Sequence, residues 1–315
     1  MRASVSVLLA AIGAISLSSA VAGAEVRRLR RFVGTDAEQD ELLEVIASAE
    51  SRSFKPVGHT SVVLRMRTVA RVTAALKVRS REIPRGYQSE IAAYRIGRLL
   101  GLDNVPPAVY RRATWKEISR RFHEDAVGRR ASVGRAVLWD EDGSAPGAAI
   151  YWIKGLRSVG LENDKRWRSW VREGEIPPGK DTLAQDLSTM AVFDFLIGNW
   201  DRFSGGNLPT DPTQRRVLLL DNDRSFSAPL TGRRYEKVLD GLTGTTRFSK
   251  ELIGHLAALD EASIRAELGR DPGDSVAPLL DDAQLEDVLD RKATILSYVA
   301  ALIEERGRDQ VLFFP

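Results

Sequence analysis

Strand-type and helix-type patterning are segregated along this 315-residue chain, and that separation points to an α+β architecture. "TSVVLRMRT" (60–68) and "ARVTAALKV" (70–78) are β-branched, partly alternating runs of hairpin length. "YQSEIAAYRIGRLLGL" (87–102) follows with a helical period, Gly101 stops it, and "VPP" (105–107) forces extended backbone before "AVYRR". Two strands, a helix and a further strand predict a compact first lobe. From Thr114 to Asp181 the pattern weakens to one strand, "AAIYWIKGL" (148–156), and a tryptophan-rich segment, "RWRSWV" (166–171). Beyond it lie a helix, "LAQDLSTMAVFDFLIGN" (183–199), and a buried-strand run, "RRVLLLD" (215–221). A helical C-terminal third follows, its longest amphipathic run at 281–307.

The amino terminus carries one basic residue, an apolar run from Val5 to Leu17, and the small residues Ala22-Gly23-Ala24. This is the pattern of a secretory signal peptide cleaved after Ala24, too short in its apolar part for the roughly 20 residues of a membrane span. The expected destination is the periplasm or the exterior. The chain has no cysteine, so an exported product would be held by its core without disulfides. A net charge of +3 gives no basis for nucleic-acid binding.

Single scattered histidines (His59, His123, His255) and the lack of cysteine argue against a zinc cage or a thiol nucleophile. Neither a G-x-S-x-G elbow nor a Walker-A loop is present. What remains is centred on acids. Asp201 opens a loop after the apolar helix, Asn207 lies further along that loop, and Asp221 ends the apolar run 215–221. Phosphoryl transfer needs a carboxylate for the acceptor hydroxyl and hard oxygen ligands for Mg²⁺ or Mn²⁺. In the first lobe Lys77 ends a strand run and Glu90 sits in the next helix; a lysine aimed at phosphate needs such a carboxylate to hold its long stem. Each residue alone has an ordinary structural role. Their order, lysine, glutamate, aspartate, asparagine, aspartate, in matching strand, helix and loop contexts, makes them one candidate constellation. Asp194, on the buried face of the helix, is expected to tie down the loop by accepting backbone N–H bonds, and Arg202 to pair with a nearby carboxylate.

Three stretches, "SEIAAYRIGRLLGLDNVPP" (89–107), "FDFLIGNWDR" (193–202) and "LLLDNDRSF" (218–226), resemble the secretory-pathway kinases that include four-jointed and the Golgi casein kinase. A looser likeness runs from about Thr60 to Gly307. The resemblance implies a two-lobed atypical protein-kinase-like fold with a small β-rich N-lobe, one helix in it, and a larger, mostly helical C-lobe. It implies that Asp201 is the catalytic aspartate, Asp221 and Asn207 are metal ligands, and Lys77 is the nucleotide-phosphate lysine partnered by Glu90. ATP with Mg²⁺ or Mn²⁺ is the implied cofactor, and Ser or Thr of a protein the implied acceptor; relatives also phosphorylate sugars. A glycan kinase would call for an open groove lined by aromatics such as Trp167 or Trp170, and a pseudokinase scaffold is the non-enzymatic alternative.

The departures are specific. Asp223 stands where the family carries glycine, and Arg85 falls about where the Golgi casein kinase has a further metal-binding acid, with Glu82 a loose substitute. Asn207 lies one residue further from Asp201 than usual, length that Gly205-Gly206 must absorb. "KPVGHTS" (55–61) offers a single glycine over the phosphates, and the disulfides of animal relatives are missing. The expected organisation is a signal peptide at 1–24, a leader helix within 25–50, an N-lobe at 51–112 and a C-lobe at 113–312.

Overall fold

In the computed structural model the described residues are 31–315, except 34, 36, 59–61, 164–165, 205 and 272–277. The expected signal peptide, His59 and Gly205 therefore lie outside the described residues. Among the described residues the first helix is α1 (Gln39–Ser48), which buries Leu42, Leu43 and Ile46. Strands β1 (Ser51–Val57), β2 (Val63–Thr68) and β3 (Thr73–Val78) form an antiparallel meander. Helix α2 (Gly86–Leu99) follows, then β4 (Ala108–Tyr110).

An excursion comes next: β5 (Ala113–Thr114), α3 (Trp115–Arg120), a 3-10 turn (Glu124–Arg129), α4 (Arg130–Ala136) and β6 (Ser144–Ala145). The chain then returns as β7 (Gly147–Tyr151), which inserts between β3 and β4 and gives the sheet order β1-β2-β3-β7-β4. The strand expected at 148–156 thus belongs to the first lobe's sheet, beyond the boundary drawn at 112. The excursion also covers the sheet's open edge. The Phe54 N–H donates to the Arg121 carbonyl, and the His123 N–H donates to that of Phe54.

Period-2 alternation sets the sheet's two faces. On β3, Ala74, Leu76 and Val78 are buried in the core, which leaves Ala75 and Lys77 to line a cavity on the other side. The remainder is helical: α5 (Trp167–Arg172), α6 (Asp181–Ile197), α7 (Gly232–Thr243), α8 (Lys250–Ala258), α9 (Glu261–Leu268), α10 (Asp282–Arg306) and α11 (Arg308–Val311). Helix α6 is buried nearly all round, its polar Asp186, Ser188, Thr189 and Asp194 included, and runs through the core. It stops at Gly198, whose φ of 69° is the left-handed region that glycine enters without penalty. The run 215–221 joins no sheet: Val217 makes one isolated antiparallel bridge with Thr210, and Asp221 ends the run at a φ of 54°. Leu218 and Leu219 donate one bond each, to the carbonyls of Pro209 and Asn104.

Candidate active site

Lys77 is held in β3 opposite Val63 on one side and Ala148 on the other, which fixes its stem toward the cavity. Its Nζ lies 2.5 Å from Glu90 Oε1 and 2.9 Å from Asp223 Oδ2, and it also bonds Asp221 Oδ1. Burial by itself would lower the lysine's pKa, but Glu90, Asp221 and Asp223 together hold it well above the ordinary value. Burial pushes the Glu90 carboxyl up to about 7, against the pull of Lys77. Asp223 is raised for the same reason, while Asp221, with its side chain 40% exposed, is lowered because Lys77 and Arg202 outweigh its burial. Glu90 Oε1 also accepts the Asn222 N–H at 3.1 Å, so α2 is tied to the segment that carries both aspartates.

The loop after α6 is built around Arg202, which is 1% exposed. Its guanidinium grips Asp194 from Nε (3.0 Å) and Nη2 (2.8 Å), and donates to the carbonyls of Asn207 and Leu220 and to Asn222 Oδ1. Asp194 therefore accepts from the arginine and not from backbone N–H groups, as had been expected. Arg202 does pair with a nearby carboxylate, as its position suggested. Burial raises the Asp194 carboxyl's pKa, and Arg202 opposes that shift. Asn199 adds a second brace. Its Nδ2 donates to the Asp221 carbonyl (3.3 Å), and its Oδ1 accepts the Asp201 N–H (3.2 Å).

Asp201 itself is lightly held. Ser204 Oγ donates to Oδ1 at 2.6 Å, and Arg224 Nε lies 3.6 Å from Oδ2. Asn207 Nδ2 donates to the Asp201 carbonyl at 3.1 Å, and Gly206 takes a φ of 95° within the longer loop. Lys77, Glu90, Asp201, Asn207 and Asp221 all line one cavity of about 860 Å³, which runs under the sheet past Ala75 and Ile150. Carboxylate oxygens of Glu90, Asp221 and Asp223 lie within 4.8 Å of one another, a hard oxygen set suited to Mg²⁺ or Mn²⁺.

Some expected residues sit elsewhere. Arg85 turns away to Asp281 and Gln284, and Glu82 pairs with Arg224. Trp167 is 5% exposed and stacks on Phe203 at 6.2 Å, lining a separate hollow of about 280 Å³ behind the loop, and Trp170 packs on the core. Neither forms an open aromatic groove in the main cavity. Asn199, Asn222 and Gly86 went unread as site residues. The only signal for the asparagines was their place inside "GNWDR" and "LDND", and for Gly86 its place just ahead of the helix that carries Glu90.

Residues 157–311 match the family described as Golgi casein kinase, C-terminal, Fam20. Human glycosaminoglycan xylosylkinase is 23% identical over 264 residues, covering 72% of this chain and 63% of that protein. Human extracellular serine/threonine protein kinase FAM20C is 25% identical over 72% of this chain and 45% of its own length. Human pseudokinase FAM20A is also 25% identical, over 95% of this chain and 65% of its own. The chain thus spans less than two thirds of each of these relatives. Among solved structures, hydra Fam20 with sugar superposes with a TM-score of 0.66 at 19% identity, covering 90% of this chain and 94% of that one. The Golgi casein kinase with Mn/ADP bound gives 0.65 at 15%, covering 87% and 78%. Both likenesses are of fold, and with the family match over residues 157–311 they bear out the resemblance read from the three motifs: the fold is two-lobed and kinase-like, and the C-terminal half is similar to the Fam20 Golgi casein kinases.

Proposed function

We propose that this chain is an exported, ATP-dependent phosphotransferase that moves the γ-phosphoryl group to a hydroxyl, with Ser or Thr of a protein as acceptor. One observation carries the reading: five polar side chains far apart in sequence, Lys77, Glu90, Asp201, Asn207 and Asp221, line a single cavity large enough for a nucleotide. Lys77, braced by Glu90, steadies the α- and β-phosphates. Asp221 and Asn207 hold Mg²⁺ or Mn²⁺, which neutralises charge on the phosphates when bound. Asp201 orients the acceptor hydroxyl and takes its proton as the oxygen bonds to the γ-phosphorus and the bond to the β-phosphate oxygen breaks. The two human kinases among the relatives, one named for a glycan and one for serine and threonine, leave a glycan hydroxyl as the alternative acceptor. Among the described residues no helix is long and apolar enough to cross a membrane.

Radiolabel transfer from ATP in the presence of Mn²⁺ tests the reading. Asp201→Ala is expected to lower the rate by about 10² to 10⁴, the usual share of a general base, while the ATP-dependent thermal shift persists. A second reading, a pseudokinase scaffold, is favoured by the three carboxylates already around Lys77 and by Asp223 at the family's glycine position. Nucleotide binding by wild type with no label transfer to any protein or glycan acceptor would select that reading instead.

A further inference from the structure

We propose that Asp223 is an additional carboxylate of the metal site, and that it lets this chain take up a divalent cation before any nucleotide arrives. The inference rests on the phosphotransferase reading of the same cleft and goes beyond it, because the motif resemblance implies glycine at this position.

A carboxylate that is 8% exposed needs compensation for its burial. Lys77 is within 2.9 Å, but that ammonium already has Glu90 at 2.5 Å and a bond to Asp221. With all three carboxylates ionised around one ammonium, the cluster would carry two negative charges in excess, a balance that a buried site holds poorly without a further cation. Arg224, the next cation along, is engaged with Glu82 at 3.4 Å and Asp201 at 3.6 Å. The excess matches one divalent ion. The mutual approach of the three acids, within 4.8 Å, suits oxygens shared around an ion whose bonds are roughly 2.0–2.6 Å long.

The backbone also approaches Asp223 closely. A Cβ at Gly86 would stand 2.8 Å from Ile83 Cγ2 and 3.1 Å from Asp223 Cβ, so glycine at 86 lets both side chains pack against the start of α2 without shifting. With glycine at 223 the same cluster would carry one excess negative charge, and much of the cation's attraction would have to come from the nucleotide's phosphates. With aspartate, the protein supplies that charge itself. Asp221 and Asp223 would hold the ion, while Lys77 stays on Glu90.

The experiment is Mn²⁺ binding to the nucleotide-free full chain, read from the electron paramagnetic resonance signal of free Mn²⁺, for wild type, Asp223→Asn and Asp223→Gly. Wild type is expected to bind Mn²⁺ alone, and both variants to bind it at least about tenfold more weakly. The asparagine keeps the shape of the side chain, and circular dichroism establishes that each variant is folded. Should one fail to fold, the other supplies the comparison. Equal affinity in wild type and variant, or no Mn²⁺ uptake by wild type until ATP is added, overturns the proposal. An ATP·Mn²⁺ thermal shift on wild type keeps the two readings apart. If it is present without uptake of Mn²⁺ alone, only the role of Asp223 falls; if it is absent as well, the phosphotransferase reading falls with it.

Discussion

Arg202, almost fully buried, uses all three guanidinium nitrogens on protein acceptors, which makes its position exacting. Cutting it to methionine strands the Asp194 carboxylate, already raised in pKa by burial, with no counter-charge. Chemical denaturation should show Arg202→Met losing about 3–5 kcal/mol, the cost of breaking one side of a buried pair. Asp194→Asn added to that variant should recover part of the loss. Arg202→Lys should not rescue, because an ammonium cannot reproduce a fork that reaches two carbonyls and a carboxylate together. Pairing of Arg202 was legible from its place beside a loop acid. The identity of the partner was not: Asp194 lies eight residues back, and only the left-handed turn at Gly198 brings the two together.

Elements show the same division between what pattern reveals and what assembly decides. Helix α6 was expected at 183–199 and runs from Asp181 to Ile197, because a long apolar period with a terminal glycine has few other solutions. Gly198→Ala should lower stability by about 1–2 kcal/mol for the left-handed φ. It should slow transfer as well, since its Cβ would press Leu230 at 3.2 Å just ahead of Asp201. β1 was missed because Arg52, Lys55 and Pro56 mask its strand character; proline is tolerated there only because β1 is an edge strand. The run 215–221 was read as a strand because continuous apolar residues look alike in a sheet and in a buried extended segment. Within α6, burial pushes Asp186 up to about 6 despite Arg216 and the Val217 N–H. A raised carboxyl contributes stability that is full below the unfolded value near 4 and is lost as pH rises through about 6. Unfolding measured from pH 4 to 7 should therefore show a decline to which this group contributes roughly 3 kcal/mol, and Asp186→Asn should flatten it.

On the scale of the whole molecule, two lobes meet at a cavity whose roof is a sheet and whose floor is loop, and the connections between them are polar. Lys77 and Glu90 reach down, and Asp221, Asn222 and Asp223 reach up. Ligands that fill such a seam stabilise by mass action. ATP·Mn²⁺ at a hundred times its dissociation constant should add about 2.7 kcal/mol and raise the melting temperature with concentration. The lobe boundary was the part least visible beforehand, since β7 returns to the sheet only after the 113–146 excursion, and no local signal announces a strand's neighbours. Arg202 has a consequence at this scale too. By joining the end of α6, the Asn207 turn and the approach to Asp221, it makes the floor a single plate. Spin labels astride the seam should report a breathing distance, while a pair confined to the plate stays constant, so the spacing of Asp201 and Asp221 is expected to be the same with and without nucleotide.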